Sequence, residues 1–88
     1  MEVKSEHDFK ELRQQFTSWR RRFPLFIHDV NTIEDIVEKH IQNYSRALVQ
    51  HRQTHSKTYL DQAQHSINEI NRVVKLIEKI ELMSMLAR

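Results

Sequence analysis

Two of the six histidines in this chain, His51 and His55, have a spacing that could do chemistry. Side chains four residues apart on a helix lie on one face, so such a pair can clamp a metal ion. A zinc site needs further ligands, and the nearest acid along the chain is Asp61. We therefore expect no metal site and no cofactor, and we expect these imidazoles to be polar members of a helix.

The same two histidines could make the chain sensitive to pH. Imidazole titrates at about pH 6.5, so its charge changes within the physiological range. If His51 and His55 lie in a seam between helices, protonation would place charge there and loosen the helical assembly.

A run of three arginines, Arg20–Arg22, is flanked by Trp19 and Phe23. Interleaved basic and aromatic side chains can bind nucleic acid, an anionic membrane surface or an acidic groove. On a helical wheel, however, the two aromatic residues share one stripe and the arginines point away from it. The pattern favours a solvated basic rim. It leaves nucleic-acid binding as an alternative, through Lys10, Arg13, Arg20, Arg21 and Arg22.

The composition offers little for catalysis or for membrane insertion. There is no glycine for a phosphate-binding loop and no cysteine for a thiolate or a disulfide. No Ser/His/Asp arrangement stands out, so we expect a protein that is not an enzyme. The 14 basic and 12 acidic residues leave a net charge of only +2. Because we find no signal-peptide pattern and no membrane-spanning apolar run, we expect a cytoplasmic or nuclear location.

Helices must position these side chains, and the aromatic residues mark the first helix. Six apolar residues alternate in spacing between three and four, which places them on one helical stripe. The stripe consists of Phe9, Leu12, Phe16, Trp19, Phe23 and Phe26. Ser5 with Asp8 has the spacing of a capping box, and Pro24 should end the helix. The pattern predicts a helix over residues 5–23 and an apolar turn that completes a first segment, residues 1–30.

The second segment, residues 31–88, should begin with Asn31 or Thr32 as its helix cap. Its apolar phase is nearly unbroken, which favours one long coiled-coil-like helix that follows an N-terminal helical hairpin. A break near residues 54–58, with Ser56 or Thr58 as the next cap, gives a compact antiparallel three-helix bundle as the alternative. Both architectures are all-α. The lack of glycine supports that class because tight turns commonly use glycine.

The last third of the chain has a broader apolar face than a two-stranded coiled coil needs. One seam consists of Ile67, Ile70, Val74 and Ile77, and its neighbour of Val73, Leu76, Ile80 and Met83. β-Branched residues are frequent in both seams, which favours more than two helices. We therefore expect a homo-oligomer, or a complex with another helical protein.

The predicted function is that of a structural or adaptor module that joins proteins through helical-bundle or coiled-coil contacts. No small-molecule substrate is expected. A peripheral membrane helix or a helix that binds a peptide groove is a further alternative. The residues expected to form the interface are Phe9, Leu12, Phe16, Trp19, Phe23, Ile33, Val37, Ile67, Ile70, Val73, Val74, Ile77 and Ile80.

Overall fold

The computed structural model describes residues 1–87, and helices make up most of that range. The α-helices are α1 (Phe9–Arg22), α2 (Ile27–Thr54), α3 (Lys57–Val74) and α4 (Leu76–Leu86). Short 3-10 turns, Glu6–Asp8 and Pro24–Phe26, lead into α1 and α2. The predicted all-α class is confirmed.

Three helical segments pack together along one half of the molecule. Helices α2 and α3 pack along each other as a hairpin, α1 folds back on α2, and α4 extends α3. The bundle measures 53 × 18 × 17 Å. Of the two predicted architectures, the compact antiparallel three-helix bundle is the one observed, and α3 with α4 forms its third helix.

The long helix predicted over residues 31–88 is broken at His55 and Ser56, inside the interval named as a candidate break. His55 takes the left-handed conformation (φ 55°, ψ 22°), which glycine usually supplies at the end of a helix. Its backbone N–H donates to the carbonyl of His51 at 2.7 Å. Ser56 then caps α3 by accepting a hydrogen bond from the backbone N–H of Thr58. A continuous helix was expected because the sequence offers no glycine or proline at this point.

The start of the chain follows the prediction closely. Ser5 and Asp8 form a reciprocal capping box around the first 3-10 turn, and α1 begins at Phe9. Helix α1 ends at Arg22, just before Pro24.

The predicted start of the second helix at Asn31 or Thr32 is wrong. Helix α2 already begins at Ile27, directly after the 3-10 turn that Pro24 opens. Proline suits the first position of a helical turn, so it starts the next helical segment as well as ending α1. Asn31 and Thr32 lie inside α2, and the hydroxyl of Thr32 donates to the carbonyl of His28 at 3.0 Å.

The buried apolar residues form one continuous hydrophobic core. Three of the helices contribute residues that are fully buried. These are Leu12 and Phe16 of α1, Val30 and Val37 of α2, and Ile70 of α3. The predicted seam of Ile67, Ile70, Val74 and Ile77 lies in this core and continues to Ile80, across the turn at Lys75. Of the neighbouring seam, Val73 is only partly buried, whereas Leu76 and Met83 are exposed.

One half of the hairpin has no third layer. At 1.5 Å per residue, α2 is about 42 Å long and α1 about 21 Å, so α1 covers only one half of α2. Beyond it the two helices of the hairpin meet at small buried side chains, Ala47, Ala63 and Ser66. Over the described residues, no helix has both the length and the hydropathy that crossing a membrane requires.

Candidate interaction surfaces

The residues predicted to form the interface lie together, inside one chain. Twelve of the thirteen are buried among the chain's own helices, and Val73 packs against them while partly exposed. The aromatic members contact one another directly, since the rings of Phe16 and Trp19 meet edge to face with centroids 5.0 Å apart. The apolar stripe of α1 is therefore covered by α2, α3 and α4. A surface that remains open to a partner must use other residues.

The N-terminal segment adds a buried residue that the sequence pattern did not indicate. Val3 is only 1% exposed, and Asn71 of α3 holds its backbone on both sides. The amide oxygen of Asn71 accepts from the N–H of Val3, and its nitrogen donates to the carbonyl of Val3, each at 2.7 Å. The segment thus closes the core at one side of α3. A lone valine among polar residues has no periodicity that could have revealed it.

Several of the basic side chains are already engaged. Arg13 forms a two-pronged ion pair with Glu38, at 2.8 and 3.1 Å, which raises the pKa of Arg13. Arg20 reaches Glu34 at 2.6 Å. Both pairs join α1 to α2, so these arginines fix the position of α1.

The other basic candidates lie on the surface. Arg22 reaches Glu81 of α4 at 3.7 Å through a solvent-exposed pair. Lys10 and Arg21 are exposed, and neither takes part in an ion pair among residues 1–87. In the predicted basic rim, two of the three arginines of the run therefore pair with glutamates. Arg21 is the one that forms no ion pair among residues 1–87.

The two histidines with metal-ligand spacing lie at the hairpin turn. His51 is half-buried, and its Nδ1 donates to the carbonyl of Ser56 at 3.0 Å, since a carbonyl oxygen can only accept. The rings of His51 and His55 meet edge to face with centroids 6.3 Å apart. Within residues 1–87, no three histidine or carboxylate side chains lie close enough to hold a metal ion. His51 therefore ties the end of α2 to the start of α3.

A groove runs between α1 and α4 and contains two adjoining clefts. The first, of about 350 Å³, has Trp19, Val74 and Ile77 among its lining residues and carboxylates at Glu78 and Glu81. The second, of about 280 Å³, is lined by Arg22, Phe23, Glu81, Ser84 and Met85. Glu81 lines both clefts, so they adjoin. We call this surface the α1–α4 groove.

Exposed apolar side chains gather at the end of the bundle where this groove opens. Because α1 runs antiparallel to α2, and α2 to α3 and α4, this end contains the end of α1, the start of α2 and the end of α4. Leu25 is 82% exposed and Leu86 81% exposed. The remaining exposed apolar residues at this end are Ile27, Leu82, Met83 and Met85. We call them, with Leu25 and Leu86, the apolar end.

Sequence reasoning anticipated this end only in part. In the apolar turn that follows α1, Val30 is buried and Phe26 packs partly buried against the core, whereas Leu25 and Ile27 are exposed, although their apolar character favours the core for all four. Leu25 lies in the 3-10 turn that Pro24 opens, and its side chain lies in solvent there. The excess apolar width of the last third of the chain, at Leu82, Met85 and Leu86, was the signal that could have identified this surface.

Comparison of the chain with protein-family models, with curated proteins and with solved structures gives no significant match in any of the three.

Proposed function

We propose that this protein is a non-enzymatic adaptor that folds as a helical bundle and joins a partner protein through its apolar end. The observation that carries the proposal is the group of exposed leucine and methionine side chains on the last turns of α4 and at Leu25. Apolar residues that cluster at a surface, beside polar ones, are typical of protein contacts. Methionine suits such a surface because its side chain adapts to different shapes.

The burial of the core supports docking over self-assembly through the aromatic stripe. If the chain formed an oligomer through that stripe, Phe16 and Trp19 would be exposed to solvent in the isolated chain. Both side chains are almost completely buried there. The partner therefore adds to a core that the chain has already closed. Such docking costs less than coupled folding because most of the chain is ordered beforehand.

The alternatives receive less support. Binding to nucleic acid needs free cations, but Arg13 and Arg20 pair with acids of α2. Binding to a membrane surface through the aromatic stripe needs exposed rings, and these rings are internal.

A site-specific cross-link tests the proposal. A photo-reactive amino acid replaces Leu86 at the apolar end, and a control variant carries it at Lys57, an exposed position by the hairpin turn. In cells that express the chain, we expect position 86 to give one discrete adduct of fixed mass and position 57 to give none. Changing Leu82 and Met85 to glutamine should abolish the adduct and leave the thermal melting curve unchanged, because both side chains are exposed. Equal cross-linking from both positions, or an adduct that survives the glutamines, would contradict the proposal.

A further inference from the structure

The N-terminal segment, residues 1–4, packs on the bundle as a peptide ligand would. It belongs to no helix, and its exposure alternates, since Val3 is only 1% exposed while Glu2 and Lys4 lie in solvent. The N–H and the carbonyl of Val3 both reach one side chain, that of Asn71. These two groups of a residue point the same way in an extended backbone. The segment is therefore an extended peptide that lies on α3.

Asn71 recognises the main chain of this segment and not its side chains. Its amide oxygen accepts from the N–H of Val3, and its amide nitrogen donates to the carbonyl, each at 2.7 Å. Any residue with a backbone N–H can make this pair of bonds. Where proteins bind extended peptides, main-chain bonds of this kind supply affinity and pockets for alternate side chains supply specificity. Asn71 thus offers the same two bonds to any extended peptide that displaces residues 1–4.

The chain's own segment fills the side-chain pockets of this site only in part. The socket of Val3 is full, since that residue is 1% exposed. In an extended peptide the residue two positions earlier lies on the same face, and here it is Met1. Met1 is 48% exposed, although it borders a cleft of about 350 Å³ that Trp19 and Ile77 also line. A segment with a bulkier apolar side chain at this position would bury more apolar surface than residues 1–4 do.

The charges around this cleft do not select a charged occupant. Besides residues 1–2, its charged lining residues are Lys75, Glu78 and Glu81. Arg22 reaches Glu81 at 3.7 Å. When residues 1–2 leave, two basic and two acidic side chains therefore remain. We expect main-chain bonding and the fit of apolar side chains to choose the occupant.

We infer that the N-terminal segment occupies a peptide-binding site of its own chain, and that an extended segment of a partner protein exchanges with it. Asn71 bonds the main chain of the incoming segment, and a β-branched side chain takes the socket of Val3. An aromatic or large aliphatic side chain two positions earlier enters the cleft beside Trp19. The helices remain in place during the exchange, because residues 1–4 belong to none of them. This inference rests on the proposed adaptor function, since the α1–α4 groove opens at the apolar end where the partner docks.

A blocked hexapeptide tests the exchange on the full chain. The probe is a serine peptide that carries phenylalanine, serine and valine in the places of residues 1–3. Its matched control carries N-methylvaline, which keeps the side chain and removes the N–H that donates to Asn71. The readouts are the NMR signals of the Val3 amide and of the indole N–H of Trp19, the one tryptophan of the chain.

We expect the probe to shift the indole signal with a saturating curve, and to move the Val3 signal to the position of an unstructured peptide. The control should bind more weakly by about tenfold or more, because it leaves the amide oxygen of Asn71 without a donor. Equal binding of the two peptides, a bound probe that leaves the Val3 signal in place, or no binding of either overturns the inference. A dimer that the probe converts to a monomer would make a second copy the occupant, and would overturn it as well.

Two valine variants show whether the segment competes with the probe. Val3→Asp places a charge in the apolar socket, so the chain's own segment should leave the site. The probe should then bind about tenfold more tightly, because a site that was free for a small fraction of the time is free throughout. Val49→Asp makes the same change at a position of α2 that is 49% exposed and outside the groove lining, and should alter the affinity by less than about twofold. An equal gain in both variants, or a gain in neither, would refute the exchange.

The two proposals can fail separately. A chain that cross-links a partner from position 86, but whose Val3 signal ignores the probe, keeps the adaptor function and loses the exchange. A chain that exchanges its segment for the probe but forms no discrete adduct loses the apolar end as the docking surface.

Discussion

Asn71 holds the backbone of Val3 by two hydrogen bonds of 2.7 Å, although the two residues lie 68 positions apart in the sequence. The side-chain amide of Asn71 bonds to both the N–H and the carbonyl of Val3, as the backbone of a neighbouring β-strand would. This contact seals the aromatic core at α3 and brings Glu2 to the edge of the α1–α4 groove. The N-terminal segment is therefore part of the bundle and lines one side of this groove.

Replacing Asn71 with alanine should release this segment. The change leaves the N–H and carbonyl of Val3 without partners, which should lower the free energy of unfolding by about 1–3 kcal/mol. Thermal or urea unfolding followed by circular dichroism measures the loss. Hydrogen exchange at the amide of Val3 should accelerate at the same time.

The matched control is Asn68→Ala. Asn68 is exposed one turn earlier on α3, and among residues 1–87 its side chain bonds only to that of Gln64. Both substitutions gain the same helix propensity, so their difference isolates the contact with Val3. We expect the control to change stability by no more than about 0.5 kcal/mol. Equal effects of the two substitutions would show that Asn71 does not anchor the segment.

The carboxylate of Asp8 gives the same segment a dependence on pH. The backbone N–H of Lys4, which donates to Asp8 at 2.8 Å, is the main cause of a pKa below the ordinary value for Asp8. A group whose pKa is lowered by folding stabilises the protein above its unfolded pKa, about 3.9, and loses that effect as the pH falls through the folded value. Stability should thus decline as the solution is acidified below pH about 4.

The substitution Asp8→Asn should flatten that acid decline, since an amide does not titrate. Unfolding midpoints measured between pH 6 and pH 2 compare it with the wild-type chain and with Asp35→Asn, which changes an exposed carboxylate of α2. We expect only the variant at position 8 to reduce the slope. If that variant keeps the wild-type slope, Asp8 is not a cause of the loss of stability in acid.

The hairpin turn depends on an unusual backbone conformation at His55. Glycine accepts φ of 55° freely, whereas a β-branched residue is disfavoured there. His55→Gly should therefore keep or raise stability, by up to about 1 kcal/mol, and His55→Val should lower it by about 1–2 kcal/mol. Thermal unfolding distinguishes the two.

Gln53→Val is the control for the turn. It places the same β-branched side chain at an exposed position with helical geometry, where the cost should stay near 0.5 kcal/mol, to within about a factor of two. If valine costs as much at position 53 as at 55, the left-handed turn does not form in solution, and a continuous helix becomes the better description.

The aromatic core predicts a sharp contrast between neighbours on α1. Phe16 is 1% exposed, so Phe16→Ala should cost about 3–5 kcal/mol through lost burial and the cavity left behind. Arg21 is exposed and unpaired among residues 1–87, so Arg21→Ala should stay within about 0.5 kcal/mol. Chemical denaturation measures both. Comparable losses of stability in the two variants would mean that Arg21 makes a stabilising contact and is not a solvent-exposed side chain.

The sequence pattern was a reliable guide wherever apolar side chains repeat with helical spacing. The stripe from Phe9 to Phe23 and the seam from Ile67 to Ile77 are both in the core, because burial of one face is what makes such helices stable. The capping box of Ser5 and Asp8 was likewise predictable from two polar residues at the right spacing.

What the pattern could not supply were contacts without a local signal. His55 takes the left-handed conformation that usually indicates a glycine at the end of a helix. Because no glycine stands there, nothing in the sequence indicated a turn, and the apolar spacing predicted a helix that continues through this position. Asn71 resembles any polar residue of a helix until its distance from Val3 is known. The exposure of Leu25 in the 3-10 turn is opposite to what its apolar character predicts. Each of these features depends on tertiary contacts or backbone geometry that spacing alone does not contain.

One chain covers its own aromatic stripe, and Trp19 reports on that burial directly. Tryptophan emission, its protection from a soluble quencher and the mass from light scattering should be measured together over a range of protein concentrations. We expect a monomer of 10.7 kDa with blue-shifted, protected emission that does not change on dilution. A larger assembly that dissociates on dilution while the emission of Trp19 shifts to the red would contradict it.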